Sequence, residues 1–508
     1  MYSQGSKLCL SFFPENLEGT LAFLEKNSAA DLFELRLDRI PEFPLEKLPE
    51  AIRPRLIVTC RSPQEGGECQ LGIDEIISLL KRAVSLEIGY IDVEWKSAGH
   101  ILPKLSDKLH TKIILSHHCQ EKHFASLWRL FSAMTKIPAH IYKLVFRVET
   151  VSEAAIALRL QDAAKNSAQN FVIHAMGESG EASRILGALN GNYLTYVSAA
   201  EKVKTAPGQI SLNAARNIFR LGNPRPSVNI LGLIGKPIAH SRGWRLHNEL
   251  IHRKLKPGNN PKRQFMYVNF PVDNLNDFWR SWKSRVSGLS VTLPYKKDVV
   301  QFLDYCSPEV RQSGVCNTMV SRNNEWCGYN TDLIAIRKLF EPYRQQLSGS
   351  ALIIGTGGTA RSALAALGQL EVPKIYLSGR NAGAGKLLAR EFNAKFVPLN
   401  ALDELQPAAI IQTTPVGMFP NIHELPPGSS LFRSGMIVLD AVYHPVLTRF
   451  LQRARGTGCV TISGEEMFLR QAALQFELFT GCKVNMGEIR EIWDALNLSD
   501  SKHTMEIS

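Results

Sequence analysis

Gly222-Asn-Pro-Arg-Pro-Ser227 decides how the chain is to be read. Two prolines, a glycine and an asparagine remove backbone donors and fix φ, so no regular element crosses this stretch. It predicts a linker over 219–227 between two separate folds. Thr205-Ala-Pro-Gly-Gln-Ile-Ser211 precedes it and Ile230-Leu-Gly-Leu-Ile-Gly-Lys-Pro-Ile-Ala-His-Ser-Arg-Gly-Trp-Arg-Leu-His-Asn248 follows it. Both flanks are polar and turn-rich, the kind of sequence that binds small molecules. One pocket is therefore expected to close the first fold and another to open the second.

A chain of 508 residues has room for two large domains or three smaller ones. Its 44% hydrophobic and 21% charged residues are those of a globular protein. The net charge of +12 admits nucleic acid, an acidic membrane surface or small anions as partners. The densest basic stretch, His252-Arg-Lys-Leu-Lys256 with Lys262-Arg263, has no interleaved aromatics. It reads as a solvated face, and small anions are favoured over nucleic acid or membrane. Cysteines at 9, 60, 69, 119, 306, 316, 327, 459 and 482 form no Cys-X-X-Cys pair, which predicts free thiols in a reducing compartment and no metal site. Leu8–Phe13 is too short for a signal core and no run of 18 apolar residues occurs, so a cytoplasmic location is expected.

Ahead of the boundary, short apolar runs recur at Leu8–Phe12, Leu32–Leu37, Leu56–Cys60, Tyr90–Trp95, Lys112–Ser116, Ile141–Phe146, Phe171–Ala175 and Tyr193–Val197. Helix-length segments such as Ile73–Leu86, Phe124–Met134 and Val151–Ala164 lie between them. Strands alternating with helices in this number predict an α/β fold, a (β/α)8 barrel over 1–218, with function at the C-terminal strand ends. Glu34, Arg36 and Asp38 alternate, and three charged groups on one inward face need polar partners. Arg61-Ser-Pro-Gln-Glu65-Gly-Gly-Glu68 follows a strand, and Ser116-His117-His118 ends another. Lys143 inside Ile141-Tyr-Lys-Leu-Val-Phe146 is the sharpest signal, because desolvation would free its amine for attack on a carbonyl. A strand-end histidine would serve as proton shuttle.

Together with Tyr142-Lys143, Met176-Gly177, Ser183-Arg184 and Ala206-Pro-Gly-Gln209, these motifs resemble type I 3-dehydroquinate dehydratase over nearly the whole first half. The resemblance implies that Lys143 forms an imine with the substrate ketone. His118 would remove a proton from the adjacent carbon and help water leave, with Glu65 orienting it. Arg184 would pair with the substrate carboxylate, while Glu34, Arg36, Arg61, Thr205 and Gln209 hold hydroxyls and carboxylate. Two departures from the family pattern are Thr205 in place of serine and Cys119-Gln120 in place of Asp-Phe.

Beyond the boundary, Ala351-Leu-Ile-Ile-Gly355-Thr-Gly357-Gly358-Thr-Ala360-Arg delivers an apolar run into clustered glycines and a helical pattern. Further strands at Lys374–Leu377, Ala409–Gln412 and Met436–Asp440 predict a Rossmann-type dinucleotide-binding domain over 349–464. The second strand ends Leu377-Ser378-Gly379-Arg380, with an arginine where an acid would hold a ribose 2′-hydroxyl. This favours NADP(H) over NAD. Ser241, Val291-Thr292-Leu-Pro-Tyr-Lys296, Cys316-Asn317-Thr318 and Gly328-Tyr-Asn330-Thr331-Asp332 form a polar constellation ahead of it.

These motifs, with Thr414-Pro-Val-Gly417, Val442-Tyr443-His-Pro and Gln471-Ala-Ala-Leu-Gln475, resemble shikimate dehydrogenase. The resemblance implies Lys296 and Asp332 as the catalytic pair, and Ser241, Thr292, Asn317, Tyr443 and Gln471 as substrate ligands. Gly355, Gly357, Gly358, Ala360 and Arg380 would hold the cofactor, with Gly464 and Met467 near its nicotinamide. The substrate-binding lobe, 228–340, would be completed by 465–500. Departures are Gly243-Trp244 for Ser-Pro, and Ser290, Gly379 and Gln412 for asparagines. The chain is thus expected to dehydrate 3-dehydroquinate to 3-dehydroshikimate and to reduce that carboxylate to shikimate with NADPH. The alternative is an active dehydratase fused to a domain that acts on quinate or only binds pathway intermediates.

Overall fold

The structure, a computed structural model, describes residues 5–105, 110–167, 169–200, 204–223, 228–239, 241–255 and 264–505. Residues 224–227 of the expected linker, His240, and Lys256, Lys262 and Arg263 of the basic stretch lie outside the described residues. The chain divides into two compact units, Met1–Asn229 with Pro261–Ser284 and Ile230–Asn260 with Arg285–Ser508.

In the first unit, β1 (Lys7–Phe12), β2 (Leu32–Arg36), β3 (Leu56–Thr59), β4 (Tyr90–Glu94), β5 (Lys112–Cys119), β6 (Ile141–Arg147), β7 (Phe171–Met176) and β8 (Leu194–Val197) match the eight expected runs. They form one parallel sheet in the order β7-β6-β5-β4-β3-β2-β1-β8. Between β7 and β8 a side chain stands in for a ladder. Tyr193 N donates to Phe171 O at 2.8 Å, and the Asn192 amide accepts from Ile173 N at 2.9 Å and donates to Ile173 O at 3.1 Å. The edges of the curled sheet are thereby satisfied, as a nearly closed barrel requires. The connecting helices start where their caps allow. Thr150 and Glu153 form a reciprocal capping box at the head of Val151–Ala164.

The barrel interior is built in two layers. Cys9, Leu32, Ile57, Tyr90, Ile114, Ile141, Val172 and Leu194, one from each strand, make a buried apolar floor. Side chains two positions on face the same way, and these are Ser11, Glu34, Thr59, Asp92, Ser116, Lys143, His174 and Tyr196. All eight are buried. The period of two thus sets a polar layer directly above the apolar one, toward the C-terminal strand ends. Two details differ from expectation. β5 continues through His117-His118-Cys119, because these residues pair in register with Leu144-Val145-Phe146 of β6. β2 stops at Arg36, so Asp38 lies in the following turn.

Two sheets follow the barrel. The first contains β9 (Asn229–Gly235), β10 (Phe265–Pro271), β11 (Val286–Val291), β12 (Tyr305–Cys306), β13 (Thr318–Arg322) and β14 (Glu325–Tyr329), in the order β10-β9-β11-β13-β14-β12. It is mixed, since β13 runs antiparallel to both β11 and β14. The second contains β15 (Ser350–Ile354), β16 (Lys374–Ser378), β17 (Lys395–Phe396), β18 (Ala409–Gln412), β19 (Ile437–Asp440) and β20 (Val460–Ile462), in the order β17-β16-β15-β18-β19-β20. Every pairing in it is parallel. This is the doubly wound order, with its switch point between β15 and β18. The last helices return to the mixed sheet. Gln475, on the helix Gly464–Thr480, shares its Oε1 with Ser290 Oγ at 2.8 Å and donates to Asn317 O at 3.1 Å.

Candidate active sites

The polar layer of the barrel is an ionic network. Lys143 Nζ lies 3.3 Å from Asp92 Oδ2 and 3.5 Å from Glu34 Oε1, and 4.2 Å from the centroid of the Tyr196 ring. Its surroundings are therefore charged rather than apolar, contrary to the environment its strand suggests. Glu34 is itself held by Ser11 Oγ at 2.5 Å and Thr59 Oγ1 at 3.1 Å. Arg61 joins the layers of acids. Its guanidinium reaches Asp92 at 2.8 Å, Glu65 and Glu94 at 3.3 Å each, and Ser116 Oγ at 2.8 Å. Burial opposes its charge, but Asp92, Glu94, Glu65 and Glu34 outweigh burial and raise its pKa.

Glu65 is shared by two histidines. One oxygen lies 2.7 Å from His117 Nδ1, the other 3.1 Å from His118 Nδ1 and 3.0 Å from His118 N. Burial, assisted by Arg61 and Lys143, pushes His118 well below the usual imidazole range, so the ring is uncharged at neutral pH and has a lone pair with which to accept a proton. The loop that brings Glu65 back to β5 turns at Gly66, whose φ is +82°. It is closed by a disulfide between Cys60 and Cys69, which corrects the expectation that all cysteines are thiols. The other seven are free. A hairpin loop brings the pair together, and spacing alone did not signal it. Arg36 is committed to Asp38, with contacts of 3.1 and 2.6 Å.

Arg184 differs from the other two arginines. Its Nη1 meets His174 Nε2 at 3.1 Å and its Nη2 reaches Pro207 O at 3.4 Å. Burial outweighs the attraction of the Glu181 and Tyr196 side chains and lowers its pKa to about 10. Gln209 Oε1 accepts from Thr205 N at 3.0 Å and Ala206 N at 3.3 Å, and its Nε2 donates to Thr205 Oγ1 at 3.0 Å. Asp92, Glu94, His117 and His174 were not singled out in the sequence. For the two acids the signal was present, because Tyr90-Ile-Asp-Val-Glu94 alternates as Glu34-Leu-Arg36 does.

In the second unit, Lys296 Nζ lies 2.6 Å from Asp332 Oδ2 and 3.2 Å from Thr359 Oγ1. Thr359 belongs to the helix Gly358–Gln369, which follows β15. A Cβ on Gly358 would lie 3.0 Å from Lys296 Cβ and Cδ, so the glycine is what lets the lysine approach. Asn317 Oδ1 accepts from Thr331 N at 2.8 Å, and its Nδ2 donates to Thr331 Oγ1 at 2.8 Å. Gln471 Oε1 lies 3.4 Å from the same hydroxyl. The backbone of Thr292 donates to Ile234 O at 2.9 Å. The Tyr443 hydroxyl is hydrogen-bonded with Ser241, and burial raises its pKa. Its ring stacks on Phe468 at 4.8 Å. Among the described residues, a Cβ added at Gly243 would meet only Ser241 Oγ, at 3.6 Å. Ser290, another of the departures, is bonded to Gln475.

At the switch point Gly355 has φ +122°, and a Cβ there would stand 2.3 Å from Thr413 Oγ1. Gly357 opens the next helix with nothing within 4 Å of an added Cβ. Ala360 is buried in that helix and Arg380 is exposed past the end of β16. Gly464 and the buried Met467 begin the helix after β20. A Cβ on Gly464 would come within 2.4 Å of Val442 O.

Fold and pockets define a fused α/β enzyme, a parallel barrel with a buried lysine joined to a two-lobed, doubly wound dehydrogenase. Family models match in the same order: type I 3-dehydroquinase over residues 8–224, shikimate dehydrogenase substrate binding domain over 233–319, and shikimate 5′-dehydrogenase C-terminal domain over 464–492. The chain is 31% identical over 480 residues to the bifunctional 3-dehydroquinate dehydratase/shikimate dehydrogenase, chloroplastic, of Arabidopsis thaliana, covering 89% of this chain and 78% of that protein. It is 29% identical over 476 residues to shikimate biosynthesis protein AroDE of Chlamydia pneumoniae, covering 92% and 93%. Among solved structures, dehydroquinate dehydratase and shikimate dehydrogenase from S. pombe AroM matches at 23% identity and TM-score 0.41, covering 97% of this chain and 98% of that one. The chain belongs to the bifunctional 3-dehydroquinate dehydratase/shikimate dehydrogenase family.

Proposed function

We propose that the barrel dehydrates 3-dehydroquinate to 3-dehydroshikimate and that the second unit reduces this product to shikimate with NADPH. The observation that carries the reading is the buried Lys143 amine among Asp92, Glu34 and the His118–Glu65 pair. Lys143 Nζ attacks the substrate ketone and water leaves as the imine forms. His118 takes a proton from the adjacent carbon, and the imine nitrogen accepts the electrons released. The same imidazole then returns the proton to the departing hydroxyl, and hydrolysis of the imine frees Lys143. Glu65 holds His118 in one orientation, and Arg184 takes the substrate carboxylate. Glu34, Arg36, Arg61, Thr205 and Gln209 surround the ring hydroxyls and carboxylate.

In the dehydrogenase, Ser241, Thr292, Asn317, Tyr443 and Gln471 hold the substrate, and Lys296 with Asp332 gives a proton to the carbonyl oxygen, a step worth ~10²–10⁴-fold. The cofactor supplies the hydride. The residues present suit it: the positive φ at Gly355 and the open face of Gly357 let amides approach a pyrophosphate at the head of the helix Gly358–Gln369. Gly358 and Ala360 continue that turn. The exposed Arg380 suits a 2′-phosphate, while Gly464 and Met467 would flank the nicotinamide. The reading divides the chain into a dehydratase over 1–218, a linker over 219–227, a substrate-binding lobe over 228–340 completed by 465–500, and a cofactor lobe over 349–464. Small carboxylates are its partners rather than nucleic acid, and a cytoplasmic location belongs to the same reading. Among the described residues no helix is long and apolar enough to cross a membrane.

A coupled assay from 3-dehydroquinate tests both steps at once. NADPH consumption is expected, and its absence when each half is supplied with its own substrate would overturn the reading. A second reading, quinate as the dehydrogenase substrate, is motivated by the space at Gly243. Faster oxidation of quinate than of shikimate would favour it.

A further inference from the structure

The three arginines around the dehydratase pocket are not held alike. Arg36 is bound to Asp38, and Arg61 to Asp92, Glu65 and Glu94. Arg184 makes no ion pair with a carboxylate among the described residues. It is 2% exposed, its Nε has no hydrogen-bond partner among the described residues, its one side-chain hydrogen bond is to His174, and Glu181 acts on it only through its charge. A guanidinium is donor-only and cannot give up its proton at physiological pH. His174 Nε2 must therefore carry its lone pair toward Arg184 Nη1, with the ring proton on Nδ1.

His174 suits that role. It stands in the polar layer on β7, 3% exposed, its ring set edge-on to Tyr196 at 6.2 Å. Burial, with Arg184 and Lys143 adding like charge, pushes it well below the usual imidazole range. A carboxylate in its place would fix the guanidinium equally well but would neutralise it. A neutral imidazole fixes it and leaves its whole charge for an incoming anion.

We propose that His174 is a positioning residue of the dehydratase, a neutral acceptor that orients Arg184 Nη1 while reserving the guanidinium charge for the substrate carboxylate. The inference rests on the reading that Arg184 binds that carboxylate.

The test is dehydratase kinetics of the full chain with His174→Leu, His174→Gln, His174→Glu and Arg184→Met, each first trapped with borohydride at saturating substrate to show an intact Lys143 pocket. His174→Leu should raise KM about tenfold or more, the scale of one hydrogen bond to a charged group, with kcat little changed. His174→Gln, which keeps an uncharged acceptor, should restore KM to within about threefold of wild type, and His174→Glu should not. Arg184→Met should raise KM further still. If Arg184→Met leaves KM unchanged, the carboxylate reading itself fails. If Arg184→Met raises KM while His174→Leu or His174→Glu binds like wild type, or if the loss falls in kcat alone, the role given to His174 is overturned and that of Arg184 stands. Should His174→Leu fail to trap, the comparison of His174→Gln with His174→Glu decides.

Discussion

Glu65 carries two histidines on one carboxylate, and the buried Arg61 lies 3.3 Å from it. Glu65→Gln keeps the volume and loses the charge, so His118 is no longer fixed in the tautomer that leaves its outer nitrogen basic. Dehydratase kcat is expected to fall ~10²–10⁴-fold, with the NADPH-dependent rate of the same chain unchanged as the internal control. Asp440 offers a pH test. Burial raises its carboxyl to about 6 in spite of hydrogen bonds from Thr448, Val442 and Gln412. The folded chain then keeps a proton that the unfolded chain has lost, so this group's contribution to stability is complete below about pH 4. It is lost as pH rises through about 6. Melts of wild type and Asp440→Asn between these limits should show wild type losing stability relative to the variant, by up to about 3 kcal/mol. A constant difference would mean that the carboxyl is not buried as described. Lys143 stood out in the sequence as a candidate amine, but the surroundings expected for it were wrong. An apolar strand suggested desolvation, whereas Asp92 and Glu34 lie beside it because the curled sheet brings alternate residues of β4 and β2 to the level of β6. That level depends on the stagger of a curled sheet, which local sequence does not encode.

Strands were the most legible level, because apolar runs separated by helical segments leave little freedom in a barrel. One departure, β5, ran on through two histidines and a cysteine, polar residues tolerated where one face meets the pocket. What could not be read locally was pairing at a distance, such as Ser290 with Gln475 or Cys60 with Cys69. The turn after β15 gives a prediction at this scale. Gly355 has a positive φ and faces Thr413 Oγ1, so Gly355→Ala meets both backbone strain and a clash. NADPH affinity measured by fluorescence titration should drop at least about tenfold, a change of ~1.4 kcal/mol. Gly357→Ala, with no atom within 4 Å of the added methyl, should lose less. Equal losses would show that the turn geometry is not what admits the cofactor.

Each pocket draws its side chains from one unit, Glu34 to Gln209 in the first and Ser241 to Gln471 in the second. The two chemistries should therefore separate cleanly by mutation. Lys143→Met should abolish dehydration and retain reduction of added 3-dehydroshikimate, and Lys296→Met the reverse. An equimolar mixture of the two variants should again consume NADPH from 3-dehydroquinate, which a coupled spectrophotometric assay reads directly. A mixture that stays silent would mean that one site works only when the other on the same chain is intact.

The helix that carries Gln471 and Gln475 closes a lobe begun more than two hundred residues earlier, at Ser241. A ribosome extends a chain by ~5–20 residues per second. The barrel has all its strands once Val197 is made, while the dehydrogenase pocket waits for Gln471. Synthesis thus imposes a delay of roughly 10–50 s between the two. Every nascent or prematurely ended chain that reaches Gln209 but not Gln471 has the dehydratase residues and lacks a finished dehydrogenase, so 3-dehydroshikimate production would begin before the means to consume it on the same chain exists.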